Sequence, residues 1–273
     1  MRPFLYTLAA LSVLPGPVLA DADSVDRLID ATRMVEVLSV MREEGLQHAA
    51  AIERDSFPGQ GGVAWTLEAE RIHDLERALT DMRNSMMETI DEDGIAPITT
   101  FFESELGVKI ISAEISAREA MLDDEVDTIA DDALAEMRAS DDPRLDALQR
   151  FIDANDLVES NVVGGLNSNF AFFRGLADSG AYEGELTQQQ MLAQVWGQEE
   201  ELRSGSEEWL LSYLGLAYSA LEDDELEAYI AISETPSGAL FNRIIFTAFD
   251  ALFTRSSYEL GLAAGRFVNA EDA

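Results

Sequence analysis

The sequence predicts an all-α fold. Apolar residues recur at three- and four-residue spacing along most of the chain, and the alternation typical of β-strands is absent. Gly, Pro, Ser and Asp are concentrated in residues 56–62, 140–143 and 235–238, which divide the chain into segments of ordinary helix length. The clearest helical spacing is that of Val25, Leu28, Ile29, Met34, Val35, Leu38 and Met41, followed by Leu67, Ile72, Leu75, Leu79, Met82 and Met86.

Residues 1–20 have the layout of a secretory signal peptide. Arg2 is followed by an apolar run of residues 4–14, then by Pro15 to Pro17 and a series of small residues. This run is too short to span a bilayer, which needs about 20 apolar residues. We expect cleavage after Ala20, with Ala22 as the second choice, and a periplasmic location. A buried N-terminal helix is disfavoured because an acidic segment begins directly after Ala20.

The remaining chain has internal similarity that predicts two tandem, diverged repeats of about four helices each, residues 21–140 and 141–273. Residues 27–36 align with residues 150–159 at an offset of 123, with six identities. A second set of matches at an offset of 131 pairs Trp65 with Trp196 and Gly107 with Gly238. The difference between the two offsets, 131 and 123, predicts an eight-residue insertion in the second copy, in the loop that corresponds to residues 56–62. Whether the copies form one body or two domains stays open.

Each repeat is expected to contain a long helix, a second long helix, a short helix with acidic residues at its start, and a long final helix. In the first copy these are residues 24–54, 63–90, 92–102 and 105–138. In the second copy they are residues 147–178, 186–220, 223–233 and 236–267.

The charge excludes several classes of function. The 273 residues include 53 Asp and Glu, 18 Lys and Arg, two His and no Cys, and the net charge is −35. A polyanion repels phosphate groups, so we expect no nucleic-acid binding and no electrostatic docking on anionic membranes. The absence of Cys excludes disulfides, thiol nucleophiles and Cys-ligated metals. No dinucleotide, Walker or nucleophile-elbow motif occurs, and the sequence predicts no cofactor and no catalytic residue.

Two segments resemble parts of metal sites. Glu70 and His73 form the E-x-x-H half of a di-iron site, but the partner motif is missing and we interpret the pair as part of a surface helix. Residues 91–94, DEDG, suggest an EF-hand, yet the alignment places Thr89 and Thr100 where the loop requires Asp and Glu. No metal ligand is therefore predicted, although weak calcium binding by the acidic surface stays open.

Residues 221–253 contain a distinctive junction between two helices. Thr235 is a good N-cap, Pro236 suits the first position of a helix, and Gly238 permits the close approach of another helix. The segment resembles the C-terminal motif of an exported bacterial family, domain of unknown function 2059, over residues 206–260. The resemblance implies export and a helical fold, and implies no activity. The matching residues are Leu226, Tyr229, Ile230, Thr235, Pro236, Gly238, Phe241 and Asn242. The first half matches in degenerate form, with Ser104 and Gly107 retained and Glu105 in place of Pro.

Two apolar segments are candidates for binding surfaces. The final helix is apolar on most sides, so that Arg243 and Asp250, seven residues apart, are predicted to share a face as a buried polar contact or a binding spot. Residues 169–176, NFAFFRGL, carry aromatic side chains that cannot all point in one direction, which favours packing between the two repeats.

These observations favour an exported, noncatalytic binding or assembly factor of the cell envelope, with an envelope protein as a possible partner and an unknown oligomeric state. The alternatives are a carboxylate-dependent hydrolase of the envelope and a weak binder of divalent cations.

Overall fold

The computed structural model describes residues 22–90, 92–180 and 187–271, and the signal peptide predicted in residues 1–20 lies outside them. The described chain is helical without strands, which confirms the all-α prediction. The helices of residues 22–140 are α1 (Ala22–Ala31), α2 (Met34–Ser56), α3 (Gly62–Ile72), α4 (Leu75–Thr89), α5 (Glu92–Phe102), α6 (Glu105–Ala120) and α7 (Asp124–Ala139). Those of residues 141–271 are α8 (Arg144–Ala154), α9 (Leu157–Asp178), α10 (Gln188–Trp196), α11 (Glu199–Ala217), α12 (Asp223–Ser233) and α13 (Pro236–Glu271), with a 3₁₀ turn at Tyr218–Ala220.

The prediction of about four helices in each half is wrong, because five of the predicted long helices are each divided. Residues 24–54 break at Arg33 and residues 147–178 break at Asp156, and both residues have a left-handed backbone, with φ of 49° and 51°. Residues 63–90 divide at His73 and Asp74, residues 186–220 at Gly197 and Gln198, and residues 105–138 at residues 121–123. The two short helices, residues 92–102 and 223–233, have the predicted bounds.

The junctions before α6 and before α13 have the same local geometry. Ser104 accepts a hydrogen bond from the Gly107 amide at 3.1 Å, and Thr235 accepts one from the Gly238 amide at 3.1 Å. Each glycine lies against the main chain of the preceding helix: a Cβ atom at Gly238 would lie 2.4 Å from the Ile232 carbonyl oxygen. The hydroxyl cap satisfies an amide that has no partner within the helix, and the missing side chain allows the sharp turn.

Two left-handed positions also share their surroundings. The hydroxyl of Thr32, next to Arg33, donates to the Leu28 carbonyl at 2.8 Å, and the amide of Asn155, next to Asp156, donates to the Phe151 carbonyl at 2.8 Å. Each of these buried side chains thus donates a hydrogen bond to a main-chain carbonyl in the last turn of the helix that ends beside it. Thr32 and Asn155 are 123 residues apart, as are Arg33 and Asp156, and 123 is the offset of the first alignment.

Trp65 and Trp196, by contrast, do not occupy equivalent environments. Trp65 is 2% exposed and donates to the Ala49 carbonyl at 2.9 Å, whereas Trp196 is 60% exposed. The break at His73 and that at Gly197 are separated by 124 residues, close to the offset of the first alignment. Nine residues separate α9 from α10 where five separate α2 from α3, and α11 is four residues longer than α4, so the additional length of the second half is divided between this loop and α11.

One hydrophobic cluster contains side chains from both halves, from Val25 in α1 to Leu252 in α13. The two halves share a core because α13 packs against α9 and also against α4 and α5. Gly175 and Gly261 lie where α9 and α13 cross, so closely that a Cβ atom on either would be 2.1 Å from a carbonyl oxygen of the other helix. A second cluster joins α3 to the end of α13 through Trp65, Phe57 and Phe267.

The aromatic segment at residues 169–176 is divided between two clusters. Phe172 and Leu176 pack with α3 and α13, while Phe170 and Phe173 pack with α10 and Leu202. The first cluster contains residues of both halves and the second contains residues of the second half, so packing between halves accounts for part of this segment. Among the described residues, none of the helices combines the length and apolar character needed to cross a bilayer.

Candidate functional site

A cavity of about 520 Å³ lies where the two halves meet. Helices α2 and α6 line it from the first half, and α9, α11 and α13 line it from the second. Most of the wall is aliphatic or aromatic, and the volume is in the range of ~300–1,000 Å³ that small-molecule sites occupy. We name this space the seam cavity.

Small residues on α9 create part of the space. Ser160, Gly164 and Ser168 follow one another at four-residue spacing and face the seam cavity. A Cβ atom added at Gly164 would meet nothing within 4 Å. At an offset of 123 the first half has Val37 and Met41 in place of Ser160 and Gly164. At Ser160 and Gly164 the sequence therefore leaves open on α9 a volume that larger side chains occupy on α2, whereas Ser168 corresponds to the smaller Gly45.

Glu114 of α6 is the central polar group of the wall. The hydroxyl of Tyr218 donates to its carboxylate at 2.7 Å, and the hydroxyl of Tyr229 lies near the same carboxylate. Tyr213 donates to the Glu114 main-chain carbonyl at 3.1 Å. Three tyrosines from α11, the following turn and α12 thus converge on one residue of the first half.

Burial raises the pKa of Glu114 to about 7, against an ordinary value of 4.5. The hydroxyls of Tyr218 and Tyr229 favour the charged form, but the loss of hydration outweighs them. The group retains partial exposure because it faces the seam cavity. Glu114 consequently changes charge near neutral pH.

The tyrosines next to Glu114 are not activated as nucleophiles. Burial, followed by the nearby carboxylate, raises the pKa of Tyr218 and that of Tyr229 well above the usual range. The same two causes, in the same order, raise the pKa of Tyr213. These hydroxyls stay protonated and act as hydrogen-bond donors, so the arrangement holds an acid in place and does not generate a tyrosinate.

The aromatic rings around Glu114 pack mainly against one another. Phe151 contacts Tyr229 with ring centroids 4.7 Å apart and Tyr218 at 5.5 Å, and Phe102 contacts Tyr229 at 6.3 Å. Edge-to-face and tilted pairs of this kind fix the ring positions. The acid therefore lies in a rigid aromatic surrounding.

Arg118 lies one turn after Glu114 and also lines the seam cavity. Its guanidinium forms a bidentate pair with Glu44 of α2, at 2.7 and 2.8 Å. This geometry is specific and strong because two parallel hydrogen bonds join the planar groups. Arg118 is thus already neutralised by another acid.

The predicted motif residues divide into two groups. Tyr229 and Asn242 reach the seam cavity, where the side-chain amide of Asn242 donates to the Asn155 side-chain oxygen. Thr235 caps α13, Pro236 is the exposed first residue of that helix, and Gly238 makes the close contact with α12. These last three residues position α13 and do not line the cavity.

Arg243 and Asp250 do not form the expected contact. Arg243 is exposed, and within the described residues its side chain makes no ion pair with Asp250. Asp250 instead accepts a hydrogen bond from Asn167 of α9 at 2.9 Å and lies in the wall of the seam cavity. The two residues lie about two turns apart along α13, and α9 approaches the helix at Asp250, whereas Arg243 stays exposed.

The E-x-x-H residues are also separated. Glu70 is exposed, while the ring of His73 packs against Gly45 of α2, where a Cβ atom would lie 2.4 Å away. Burial, followed by the charge of His48, lowers the pKa of His73 to about 4. In the described ranges, no group of three His, Asp or Glu side chains is arranged to hold a metal ion.

Sequence reasoning missed Glu114. A signal was present, because Glu114 follows Ile110 and Ile111 by four and three residues and therefore shares their apolar helix face. With 53 acidic residues in the chain, that one position did not stand out.

Comparison of the chain with protein-family models, with curated protein sequences and with solved structures gave no match, so the resemblance to the domain of unknown function 2059 stays a prediction.

Proposed function

We propose that the protein is an exported, noncatalytic binding protein of the cell envelope and that its ligand is a small, largely apolar molecule held in the seam cavity. The observation that carries this proposal is the cavity of about 520 Å³ with mostly apolar walls and one central polar cluster. Small-molecule sites have this composition, in which apolar surface supplies affinity and a few polar groups supply orientation.

Binding is favoured over hydrolysis by the chemistry of the polar cluster. Glu114 is surrounded by hydroxyls that remain protonated, and Asp250 is hydrogen-bonded to Asn167. A hydrolase of the two-carboxylate type needs an acid and a base that face the scissile bond together. The hydrogen bonds of Glu114 and Asp250 instead hold each acid in a separate contact.

Export is the second part of the proposal and is supported by the sequence of residues 1–20, with cleavage after Ala20. The third part is that the two halves are diverged copies of one helical unit. Supporting it are the left-handed residues Arg33 and Asp156 and the two capped junctions at Gly107 and Gly238. A cavity between two related units is then a consequence of the small residues that α9 has in place of Val37 and Met41.

Binding can be tested with N-phenyl-1-naphthylamine, a neutral fluorophore whose emission rises in apolar surroundings. We expect saturable binding of one molecule per chain. Gly164→Leu directs a side chain into the seam cavity and should weaken binding by about tenfold or more, since a filled pocket forfeits the apolar contacts of the ligand. Gly205→Leu is the matched control, because Gly205 is exposed in α11 and a Cβ atom there also meets nothing within 4 Å.

Two results would contradict the proposal: fluorescence that does not saturate, or equal binding by the two leucine variants. Circular dichroism and thermal melts of both variants establish that each is folded before binding is compared.

A further inference from the structure

Glu114 has acceptor capacity that the protein does not use. An ionised carboxylate offers about four acceptor positions on its two oxygens. Tyr218 donates to it and the Tyr229 hydroxyl lies near it, while Tyr213 donates to the main-chain carbonyl of the same residue. The carboxylate therefore retains free lone pairs on the side of the seam cavity.

Glu114 also has no counter-charge within the described residues. Arg118, one turn away on α6, is held by Glu44 through two hydrogen bonds. Loss of hydration is the largest influence on the pKa of Glu114, and the opposing influences are tyrosine hydroxyls, not cations. A buried acid in this state is stabilised strongly by a cation that reaches it.

The walls of the cavity suit an organic cation better than a metal ion. Aromatic rings attract cations through their negative faces, and aromatic sites recognise ammonium groups in this way. Tyr213, with Trp209 stacked on it at 5.0 Å, lies on α11, and Tyr218 and Tyr229 flank the acid. A metal ion requires several oxygen or nitrogen ligands, and the described residues contain no such group.

Charge complementarity points in the same direction. The protein carries a net charge of −35, so its field concentrates cations and repels anions. A neutral apolar ligand would leave Glu114 without a partner, and an anionic ligand would add a second negative charge beside it.

We propose that the seam cavity binds an organic ammonium compound, with the cationic nitrogen beside Glu114 and Tyr213 and the apolar substituents against Phe246 and Phe249 of α13. This inference rests on the proposed function, because it requires the seam cavity to be a ligand site. It adds the chemical class of the ligand and the residue that selects it.

Three small probes of similar size separate the ligand classes. They are 3-phenylpropylammonium, the neutral 3-phenylpropanol and the anionic 3-phenylpropanoate, each measured at pH 8 by calorimetry or by displacement of N-phenyl-1-naphthylamine. We expect the ammonium probe to bind the protein about tenfold more tightly than the alcohol, because an ion pair with an added cation–π contact contributes about 1–2 kcal/mol. The anion should bind more weakly than the alcohol.

Glu114→Gln should abolish the preference for the ammonium probe and change alcohol binding by less than about threefold. The matched control is Glu119→Gln, which removes the same charge from an exposed position of α6 and should keep the preference. Equal binding of ammonium and alcohol by the protein, or an undiminished preference in Glu114→Gln, would overturn the proposal.

A measurement on the unaltered protein keeps the test valid if Glu114→Gln does not fold. The ammonium affinity should rise about tenfold between pH 6 and pH 8 as Glu114 ionises, while the alcohol affinity stays constant. An ammonium affinity that does not change with pH would overturn the proposal.

The charged and titratable groups around Glu114 are Tyr213 on α11, Tyr218 in the following turn, Tyr229 on α12, Arg118 on α6, Glu44 on α2 and Asp250 on α13.

The two proposals fail in different ways. If the neutral fluorophore binds and Gly164→Leu prevents it, but the ammonium probe has no advantage, the cavity is a ligand site and the ligand class is wrong. If neither the fluorophore nor any of the three probes binds, the proposed function is wrong.

Discussion

Replacing Glu114 by glutamine removes the titration of the acid in the seam cavity and keeps the shape of the side chain. The pKa of Glu114 is about 7 in the folded protein, against an ordinary value of 4.5. Each pKa unit corresponds to about 1.4 kcal/mol, so the difference amounts to about 3 kcal/mol.

The sign of the effect follows from proton binding. Below pH 4.5 the carboxyl is protonated in both the folded and the unfolded chain and the stability is unaffected. Between pH 4.5 and about 7 the unfolded chain loses this proton and the folded chain keeps it, so the free energy of unfolding falls as the pH rises. Above pH 7 the full cost of about 3 kcal/mol is present.

The assay is urea denaturation of the protein and of Glu114→Gln at several pH values between 4 and 8. The other titrating groups are common to both proteins and cancel in the difference between their free energies of unfolding. We expect this difference to shift in favour of the variant by about 3 kcal/mol from pH 4 to pH 8. Glu119→Gln, at an exposed position of the same helix, should differ from the protein by less than about 0.5 kcal/mol throughout. A difference for Glu114→Gln that does not depend on pH would show that the folded protein does not raise the pKa of Glu114.

Three further predictions concern the junction, the core and export. Gly238→Ala should destabilise the protein by about 3 kcal/mol in urea denaturation, because its Cβ atom would lie 2.4–2.7 Å from main-chain atoms of α12. The control Gly205→Ala should stabilise the protein by about 0.5–1 kcal/mol, since its Cβ atom meets nothing within 4 Å. A Gly238→Ala variant as stable as the unaltered protein would contradict the close contact. Trp65→Ala should cost about 3–5 kcal/mol and Trp196→Ala less than about 0.5 kcal/mol, and equal costs would contradict their different burial. The intact mass of protein recovered from the producing cell should lack residues 1–20, and an N-terminus that retains them would contradict cleavage after Ala20.

The fold class was predictable from the sequence because helix periodicity and capping act over short distances. The helix of residues 223–233 begins with the capping pair Glu222 and Glu225, and α13 begins with Thr235 and Pro236, so local chemistry defined their bounds. Such signals need no knowledge of the tertiary structure.

The breaks at Arg33 and Asp156 were not predictable in this way. Neither residue is Gly, and a left-handed backbone costs about 1–2 kcal/mol for other residues, so the sequence contains no direct signal for it. The surrounding packing, including the buried Thr32 and Asn155 side chains, compensates for this cost. These positions depend on contacts between helices that are distant in the sequence.

The candidate site was only partly predictable. The family motif includes Tyr229 and Asn242 and predicts a structural role for them, whereas the structure places both in the wall of the seam cavity. Glu114 was not, because its environment is made by tyrosines that lie about 100 residues later in the chain. The seven-residue spacing predicts that Arg243 and Asp250 share a face of one helix. Spacing does not reveal which neighbouring helix approaches each residue.

The state of Glu114 is measured most directly by a ¹³C NMR titration of its side-chain carboxyl carbon, assigned by its absence in Glu114→Gln. We expect a midpoint near pH 7 for the free protein, and a shift of that midpoint to lower pH when 3-phenylpropylammonium is bound. A midpoint near pH 4.5, the ordinary value of glutamate, would contradict the claim that an uncompensated acid lies in the wall of the seam cavity.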